Sequence, residues 1–164
     1  MQLFARHYQT GEIIPQELID KIRASQNFME GLSSLTQIRY GLVDMYWHGG
    51  VPTGEPVTEV ERQIDSQVNL FPRVPGTAFS TAFSHIFAGG YSAGYYSYKW
   101  SEVLDADAFE YFREKGLFNR EVAGRYRRYI LEKGGSENPM ELYKKFRGRE
   151  PSPQAMLRRS GLLT

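Results

Sequence analysis

Apolar side chains recur at three- and four-residue spacing along most of the chain, which brings them to one face of an α-helix. The clearest stripe consists of Leu32, Leu35, Ile38, Leu42 and Met45. Strict alternation of apolar and polar residues, typical of a half-buried strand, is nearly absent. The pattern therefore predicts an all-α fold in a single helical domain over residues 1–164. The predicted helices lie near residues 15–25, 28–47, 58–69, 90–104, 107–115, 120–133, 139–147 and 153–160.

The boundaries of these helices rest on residues that favour helix ends. Side chains and prolines suited to a first turn occur at Asn119, Asn138-Pro139 and Ser152-Pro153. Thr58 and Glu61 have the spacing of a capping box, in which each side chain bonds an unpaired amide of the first turn. Asp105 or Asp107 is expected to begin the helix over 107–115, because aspartate favours this position.

Composition and charge narrow the functional class. The chain carries 20 Lys+Arg against 19 Asp+Glu, so no overall positive field attracts nucleic acid or an anionic membrane. Cysteine is absent, which excludes disulfides and thiol catalysis and fits a reducing compartment. No apolar run approaches the roughly 18 residues of a membrane span. We therefore expect a cytoplasmic protein with no nucleic acid or membrane partner. Residues 1–10 read like the middle of a longer chain and not like a signal peptide.

Tyrosines concentrate in one segment. Tyr91, Tyr95, Tyr96 and Tyr98 fall close together. In the predicted helix over 90–104, the first, second and fourth of them stand at positions i, i+4 and i+7 and share a face, whereas Tyr96 points elsewhere. The spacing alone favours rings that pack in a core, and a groove lined by their hydroxyls is the alternative.

A histidine precedes the tyrosine face. His85 is separated from it by Gly89-Gly90, and glycines permit a bend that brings the imidazole and the phenols into one groove. Phenol and imidazole both donate hydrogen bonds at neutral pH. Donors aimed at a developing oxyanion stabilise a tetrahedral intermediate.

A specific motif favours chemistry over packing. Residues 85–100 read HIFAGGYSAGYYSYKW. This stretch resembles the C-terminal motif of the zinc peptidase family of oligopeptidase A, thimet oligopeptidase and peptidyl-dipeptidase. The resemblance covers nearly the whole chain in order and is nearest to oligopeptidase A. The other stretches that carry it are residues 7–12, 101–109, 116–121, 134–140 and 146–151.

The resemblance implies a multi-helix C-terminal part of a zincin-type oligopeptidase catalytic domain that hydrolyses short peptides. It implies substrate-binding roles for His85, Tyr91, Tyr95 and Tyr98. His85 would bind the substrate backbone near the scissile bond. Tyr95 and Tyr98 would donate to the carbonyl oxygen as it becomes an oxyanion. His85, Tyr95 and Tyr98 are thus the expected catalytic residues, and Tyr91 would position the substrate.

The zinc site of that family has no counterpart in this sequence. The family holds zinc with a His-Glu-x-x-His helix and a further Glu, but the histidines here are His7, His48 and His85, and none begins such a motif. We therefore expect no metal ligands in this chain, zinc in the parent enzyme, and no activity of the chain alone. The expected partners are short peptides and the missing N-terminal part of the parent.

Other readings remain open at this point. The parent could remove C-terminal dipeptides, as a peptidyl-dipeptidase of the same family, or the chain could be a non-catalytic peptide-binding module. Outside the motif, His48 follows a helix end and is expected to be structural. Arg147 and Arg149 are expected to pair with acidic neighbours or to cap chain ends. The cluster of Arg125, Arg127 and Arg128 is expected to lie on a solvated helix face.

Overall fold

The computed structural model describes residues 1–50 and 54–163. The helices are α1 (Gln16–Ser25), α2 (Glu30–Gly49), α3 (Val57–Val68), α4 (Ser84–Phe87), α5 (Ser97–Lys115), α6 (Arg120–Tyr126), α7 (Pro139–Arg147) and α8 (Gln154–Arg159). A 3-10 turn spans Ser80–Ala82 and a π-helical turn spans Arg127–Leu131. Within the described residues the only β pairing is a bridge between Arg6 and Ile13, so the predicted all-α fold is confirmed. None of these helices is long and apolar enough to cross a membrane.

The asparagine caps begin helices where the sequence predicts them. Asn119 accepts a hydrogen bond from the backbone amide of Glu121 at 2.9 Å, and Asn138 accepts one from Met140 at 3.0 Å. These bonds satisfy amides that have no partner within a first helical turn. The predicted helix over 120–133 is divided, because a π-helical turn follows α6.

The predicted boundary in the middle of the chain is wrong. Separate helices were expected over 90–104 and 107–115, but residues 97–115 form the single helix α5. Residues 91–96 form turns instead. Ala93 has a φ of 54°, a left-handed conformation that a right-handed helix excludes.

The two aspartates expected to begin a helix lie inside α5. Asp105 is exposed and pairs with Arg159 at 2.6 Å. Asp107 is fully buried and accepts hydrogen bonds from Tyr143 and Arg149, each at 2.6 Å. Aspartate favours helix starts in general, but here partners from α7 and the loop after it satisfy the carboxylate within a helix.

The predicted capping box is also wrong. Pro56 occupies the position before α3, and no side chain caps the helix. Glu61 is fully buried and accepts hydrogen bonds from the backbone amides of Phe79 and Ser80. Its carboxylate therefore bonds a distant loop and not Thr58 at its own helix end.

Apolar side chains form two separate cores. The first core lies between α2, α3 and α4 and consists of Val43, Val60, Ile64, Phe83 and Ile86. The second core lies between α5, α6 and α7 and consists of Ala108, Val122, Tyr143 and Phe146. Helix α8 packs against α5. The segment between α3 and α5 thus belongs to the first core.

Arginines fasten the elements around the second core. Arg147 pairs with Glu114 at 2.9 Å, which confirms the predicted pairing with an acidic neighbour. Arg125 corrects the expectation of a purely solvated face, because its guanidinium donates to the carbonyl oxygen of Phe146 at 2.9 Å. That carbonyl lies at the end of α7, where a helix leaves its last carbonyls without partners.

Candidate functional site

Aromatic rings meet at one surface, between α4 and the start of α5. We define the ring cluster as the side chains of His85, Tyr91, Tyr95 and Tyr98. The His85 ring stacks against that of Tyr91 with centroids 5.1 Å apart. The Tyr98 ring lies 5.1 Å from Tyr91 and 5.0 Å from Tyr95. Tyr91 and Tyr98 are 36% and 38% exposed and His85 is exposed as well, so a ligand can reach them.

The ring cluster contains every residue predicted to share a groove, although one helix face does not assemble it. Tyr91 and Tyr95 lie in the turns before α5, and Tyr98 lies in the first turn of that helix. Tyr96 is 57% exposed and lines a groove between α2, α5 and α8 instead. The rings are adjacent as expected, and their roles toward a substrate remain predictions.

A buried carboxylate on α2 holds the turn that carries the tyrosines. Asp44 is fully buried. Its Oδ1 accepts a hydrogen bond from the backbone amide of Ala93 at 2.9 Å, and its Oδ2 accepts one from the amide of Tyr95 at 2.8 Å. The Nδ1 of His48 lies 2.8 Å from Oδ1. Because a carboxylate only accepts, this nitrogen carries the hydrogen, and His48 has the structural contact expected of it.

A second buried carboxylate holds the segment before His85. Glu61 accepts hydrogen bonds from the amides of Phe79 at 3.1 Å and Ser80 at 2.6 Å, and Arg73 pairs with it at 2.6 Å. Burial alone would raise the pKa of Glu61, but the bonds from Ser80 and Phe79 and the charge of Arg73 outweigh it and lower that pKa. The charged carboxylate is therefore stable in the interior.

A close approach of the backbone shapes the bend after His85. A Cβ added at Gly89 would lie 2.7 Å from the carbonyl oxygen of His85 and 2.9 Å from its Cα. The same carbonyl accepts a hydrogen bond from the amide of Tyr91 at 3.3 Å, and the hydroxyl of Ser92 donates to the carbonyl of Ile86. Gly89 thus lets the chain turn back so that the ring of Tyr91 stacks on His85.

The environment raises the pKa of two phenols of the ring cluster, Tyr98 and Tyr95. A hydrogen bond with Tyr91, then burial and the nearby Tyr95, raise the pKa of Tyr98 to about 12. Burial, then the neighbouring Tyr40, raise the pKa of Tyr95, although a hydrogen bond with Gln37 opposes the shift. The Tyr95 hydroxyl donates to Oε1 of Gln37 at 3.2 Å, so its proton is engaged within the protein. Tyr91 and Tyr98 are therefore the exposed phenols of the ring cluster.

The histidines lie in separate environments. His7 closes a turn of the N-terminal segment, His48 lies in the last turn of α2 and contacts Asp44, and His85 belongs to the ring cluster. In the part of the chain that the structure describes, no group of three or more His, Cys, Asp or Glu side chains is placed to hold a metal ion. These residues therefore do not fit a zinc site, which needs three protein ligands in fixed geometry.

Sequence reasoning missed Asp44 and Gln37, both of which contact the tyrosine segment. A signal for Asp44 was present, because it is the only acidic residue between positions 31 and 54. It shares a helix face with Tyr40 and Trp47, which pack against the first core. A lone carboxylate on an apolar face indicates a buried acid with dedicated partners. We find no comparable signal for Gln37.

Comparison with known proteins places the chain among the peptidases. The model of peptidase family M3 matches residues 1–162. The chain therefore belongs to peptidase family M3, which confirms the resemblance seen in the sequence. Its helices form an all-α segment of such a peptidase domain.

Curated relatives carry the names of several peptidases. Oligopeptidase A of Salmonella typhimurium is 48% identical over 158 residues, which cover 95% of this chain and 23% of the relative. Probable cytosolic oligopeptidase A of Arabidopsis thaliana is 44% identical, covering 97% of this chain and 24% of the relative. Dipeptidyl carboxypeptidase of Escherichia coli is 37% identical, covering 97% and 24%. The chain thus spans about a quarter of the length of these relatives.

Proposed function

We propose that this chain supplies the substrate-binding and oxyanion-stabilising surface of a zinc oligopeptidase that hydrolyses short peptides. The observation that carries the proposal is the ring cluster, in which one imidazole and three phenols are adjacent on an accessible surface. Family membership supports the reaction class. In this proposal the chain is a single helical domain from the C-terminal part of the parent's catalytic domain, and the parent acts in the cytoplasm.

The chemistry of the ring cluster suits the carbonyl of a peptide bond. Attack on that carbonyl places negative charge on its oxygen, and a neutral phenol can donate to this oxygen without losing its proton. The phenols are neutral at neutral pH, so each can donate a hydrogen bond. We assign Tyr98 as the main oxyanion donor because its ring is exposed, and its surface hydrogen bond with Tyr91 would be exchanged for one to the substrate. Tyr95 is the weaker donor, because it is half-buried and its hydroxyl donates to Gln37. His85 would bind the substrate backbone and Tyr91 would position the substrate.

The proposed zinc is held by residues of the parent outside this chain. The sequence contains no His-Glu-x-x-His, and the described side chains form no three-ligand group, so no step of the reaction is assigned to a metal bound here. We expect the isolated chain neither to bind zinc with submicromolar affinity nor to cleave peptides. Calorimetric zinc titration and a fluorogenic oligopeptide assay test this, and stoichiometric zinc or chelator-sensitive turnover would contradict it.

Internal cleavage is the activity we propose first within the family. The oligopeptidase A relatives named above are 44–48% identical, against 37% for dipeptidyl carboxypeptidase. Removal of C-terminal dipeptides requires a site for the free carboxylate. Peptides with an amidated C-terminus separate the two, because an internal cleavage activity should accept them and a dipeptide-removing activity should not. A full-length protein that binds peptides without cleaving them would be the non-catalytic alternative.

Tyr98→Phe in the full-length peptidase tests the central assignment. The change removes one hydroxyl and little volume, so the fold should survive. If that hydroxyl donates to the oxyanion, kcat should fall about 100-fold with KM nearly unchanged. Tyr96→Phe is the matched control, because Tyr96 lies off the ring cluster and should cost little. If both substitutions have equal and small effects on kcat, the rings pack in the structure and do not contribute to catalysis.

His85→Ala tests the imidazole separately from the metal. We expect kcat/KM to fall about 100-fold if His85 is a donor to the substrate. Zinc content should stay intact, because no metal-ligand role is assigned to His85. Metal analysis of the purified variant checks this, and loss of zinc together with activity would contradict the assignment.

A further inference from the structure

We infer that Asp44 is a positioning residue for the ring cluster, an assignment that rests on the proposed function. Asp44 is fully buried, so it does not touch the substrate. It acts through the backbone, because both of its oxygens accept hydrogen bonds from amides of the turn that carries Tyr95. The side chain thus links α2, a long helix of the first core, to the segment whose phenols face the ligand.

The conformation of the turn explains why it needs such an anchor. Ala93 has a φ of 54°, a left-handed conformation that is strained for a residue with a side chain. In this conformation the amides of Ala93 and Tyr95 converge on one carboxylate, at 2.9 and 2.8 Å. Two bonds to two residues fix both the position and the direction of the segment. The side chain of Tyr95 in this segment packs against the ring of Tyr98.

The chemistry of a carboxylate suits this role. Asp44 accepts from two backbone amides and lies 2.8 Å from the Nδ1 of His48, so it meets donors on both oxygens. An asparagine offers one accepting oxygen and an NH2 group that faces a donor. Asp44→Asn therefore preserves the size of the side chain and removes one of the two anchors.

The test is Asp44→Asn in the full-length peptidase, with steady-state kinetics and amide hydrogen exchange. We expect kcat to fall about 10- to 100-fold, within the loss typical of displacing or removing an oxyanion donor, and KM to change less. Exchange at Ala93 and Tyr95 should accelerate while the amides of α7 keep their rates. With Tyr98→Phe already present, Asp44→Asn should cost much less, because it acts through the same donor.

Asp107→Asn is the matched control, since Asp107 is an equally buried aspartate that bonds side chains around the second core. It should lower the stability of the protein but leave kcat and the exchange at Ala93 and Tyr95 unchanged. If Asp44→Asn fails to fold, His48→Ala replaces it, because it removes one contact of Asp44. We expect the same pattern with a smaller loss of kcat, about 3-fold, since no oxyanion donor is removed.

Three results would overturn the inference. They are unchanged exchange at Ala93 and Tyr95 in the folded variant, a kcat loss fully additive with that of Tyr98→Phe, or an equal kcat loss in Asp107→Asn. The exchange measurement does not depend on turnover. If exchange at Ala93 and Tyr95 accelerates in Asp44→Asn but Tyr98→Phe leaves kcat unchanged, the proposed function is wrong. If exchange is unchanged in Asp44→Asn but Tyr98→Phe lowers kcat strongly, only the role of Asp44 is wrong.

Discussion

A fully buried aspartate lies beside each core, and only one of the two carboxylates bonds backbone amides. Asp44, beside the first core, accepts from the backbone amides of Ala93 and Tyr95. Asp107, beside the second core, accepts from the side chains of Tyr143 and Arg149. The first carboxylate therefore orders a turn, and the second fastens one helix to another and to the loop that follows.

The difference separates two uses of a buried charge. An acid that bonds backbone amides fixes a conformation that the local sequence does not favour, as at Ala93 with its left-handed φ. An acid that bonds cationic and phenolic side chains makes removal of any partner costly, because the remaining charge stays buried. We therefore expect changes around the first core to alter the site, and changes around the second core to alter stability.

The largest effect we predict is on stability, from Asp107→Ala. The substitution leaves the Tyr143 hydroxyl and the Arg149 guanidinium without their buried acceptor. Breaking a buried ion pair typically costs about 3–5 kcal/mol in the free energy of unfolding. We expect a loss near the lower end, about 3 kcal/mol, because Arg149 is 44% exposed and water can solvate its charge. Urea denaturation measures this change.

Asp105→Ala is the control for that experiment. Asp105 lies on α5, as Asp107 does, and pairs with Arg159 of α8, but the Asp105 side chain is 68% exposed. A surface pair contributes at most about 1 kcal/mol. If the two alanine variants unfold at the same urea concentration, burial does not distinguish these carboxylates, and the comparison between the two cores loses its basis.

Alanine substitutions of two glycines should change stability by an intermediate amount, with opposite sign near the ring cluster and near the second core. Gly89→Ala places a Cβ 2.7 Å from the carbonyl oxygen of His85, so the backbone must shift, at a cost of about 1–3 kcal/mol. Gly124 lies inside α6 with open space around it, and Gly124→Ala should stabilise the protein by about 0.5–1 kcal/mol. Thermal unfolding compares the two, and a stabilising Gly89→Ala would contradict the close approach.

The smallest effect concerns tyrosine ionisation at high pH. The hydrogen bond with Tyr91 and burial raise the pKa of Tyr98 from 10.0 to about 12, so the folded state holds this proton more tightly than the unfolded state. Its contribution to stability is complete below pH 10 and is lost as the pH rises from 10 to 12. Absorbance titration of the phenolates should lose this late component in Tyr98→Phe.

The same titration distinguishes the two regions. Burial first, then the hydrogen bond to Asp107, raise the pKa of Tyr143. Asp107→Asn should therefore lower the pKa of Tyr143 and leave the titration of Tyr98 unchanged, since the Tyr98 shift comes mainly from Tyr91. A shift of both tyrosines would indicate that the two regions are coupled.

Local sequence signals predicted the helices well, but they did not predict which distant residues the acidic side chains contact. The apolar stripe of α2 and the caps at Asn119 and Asn138 involve residues a few positions apart, so the sequence reveals them. Glu61 and Asp107 were read as residues of helix ends, because acids favour those positions. Their actual partners lie 18 or more positions away, and tertiary contacts of that length leave no periodic trace in the chain.

The sequence predicted which residues form the candidate site but not which backbone conformation brings them together. The motif around His85 identified the four rings, and the structure places them together. The helix expected to align them is absent before residue 97, because the turn around Ala93 bonds Asp44 and not the preceding helical carbonyls. Asp44, which fixes this turn, lies on α2. The only sequence signal for it is a single carboxylate on an apolar helix face.

The anchor of this turn also bears on the order in which the molecule folds. The bonds from Ala93 and Tyr95 to Asp44 connect residues 49 and 51 positions apart, whereas helical bonds connect residues four apart. Closing a long loop costs entropy before any contact compensates it, so such contacts form late. We therefore expect the ring cluster to assemble later in folding than the helices that flank it.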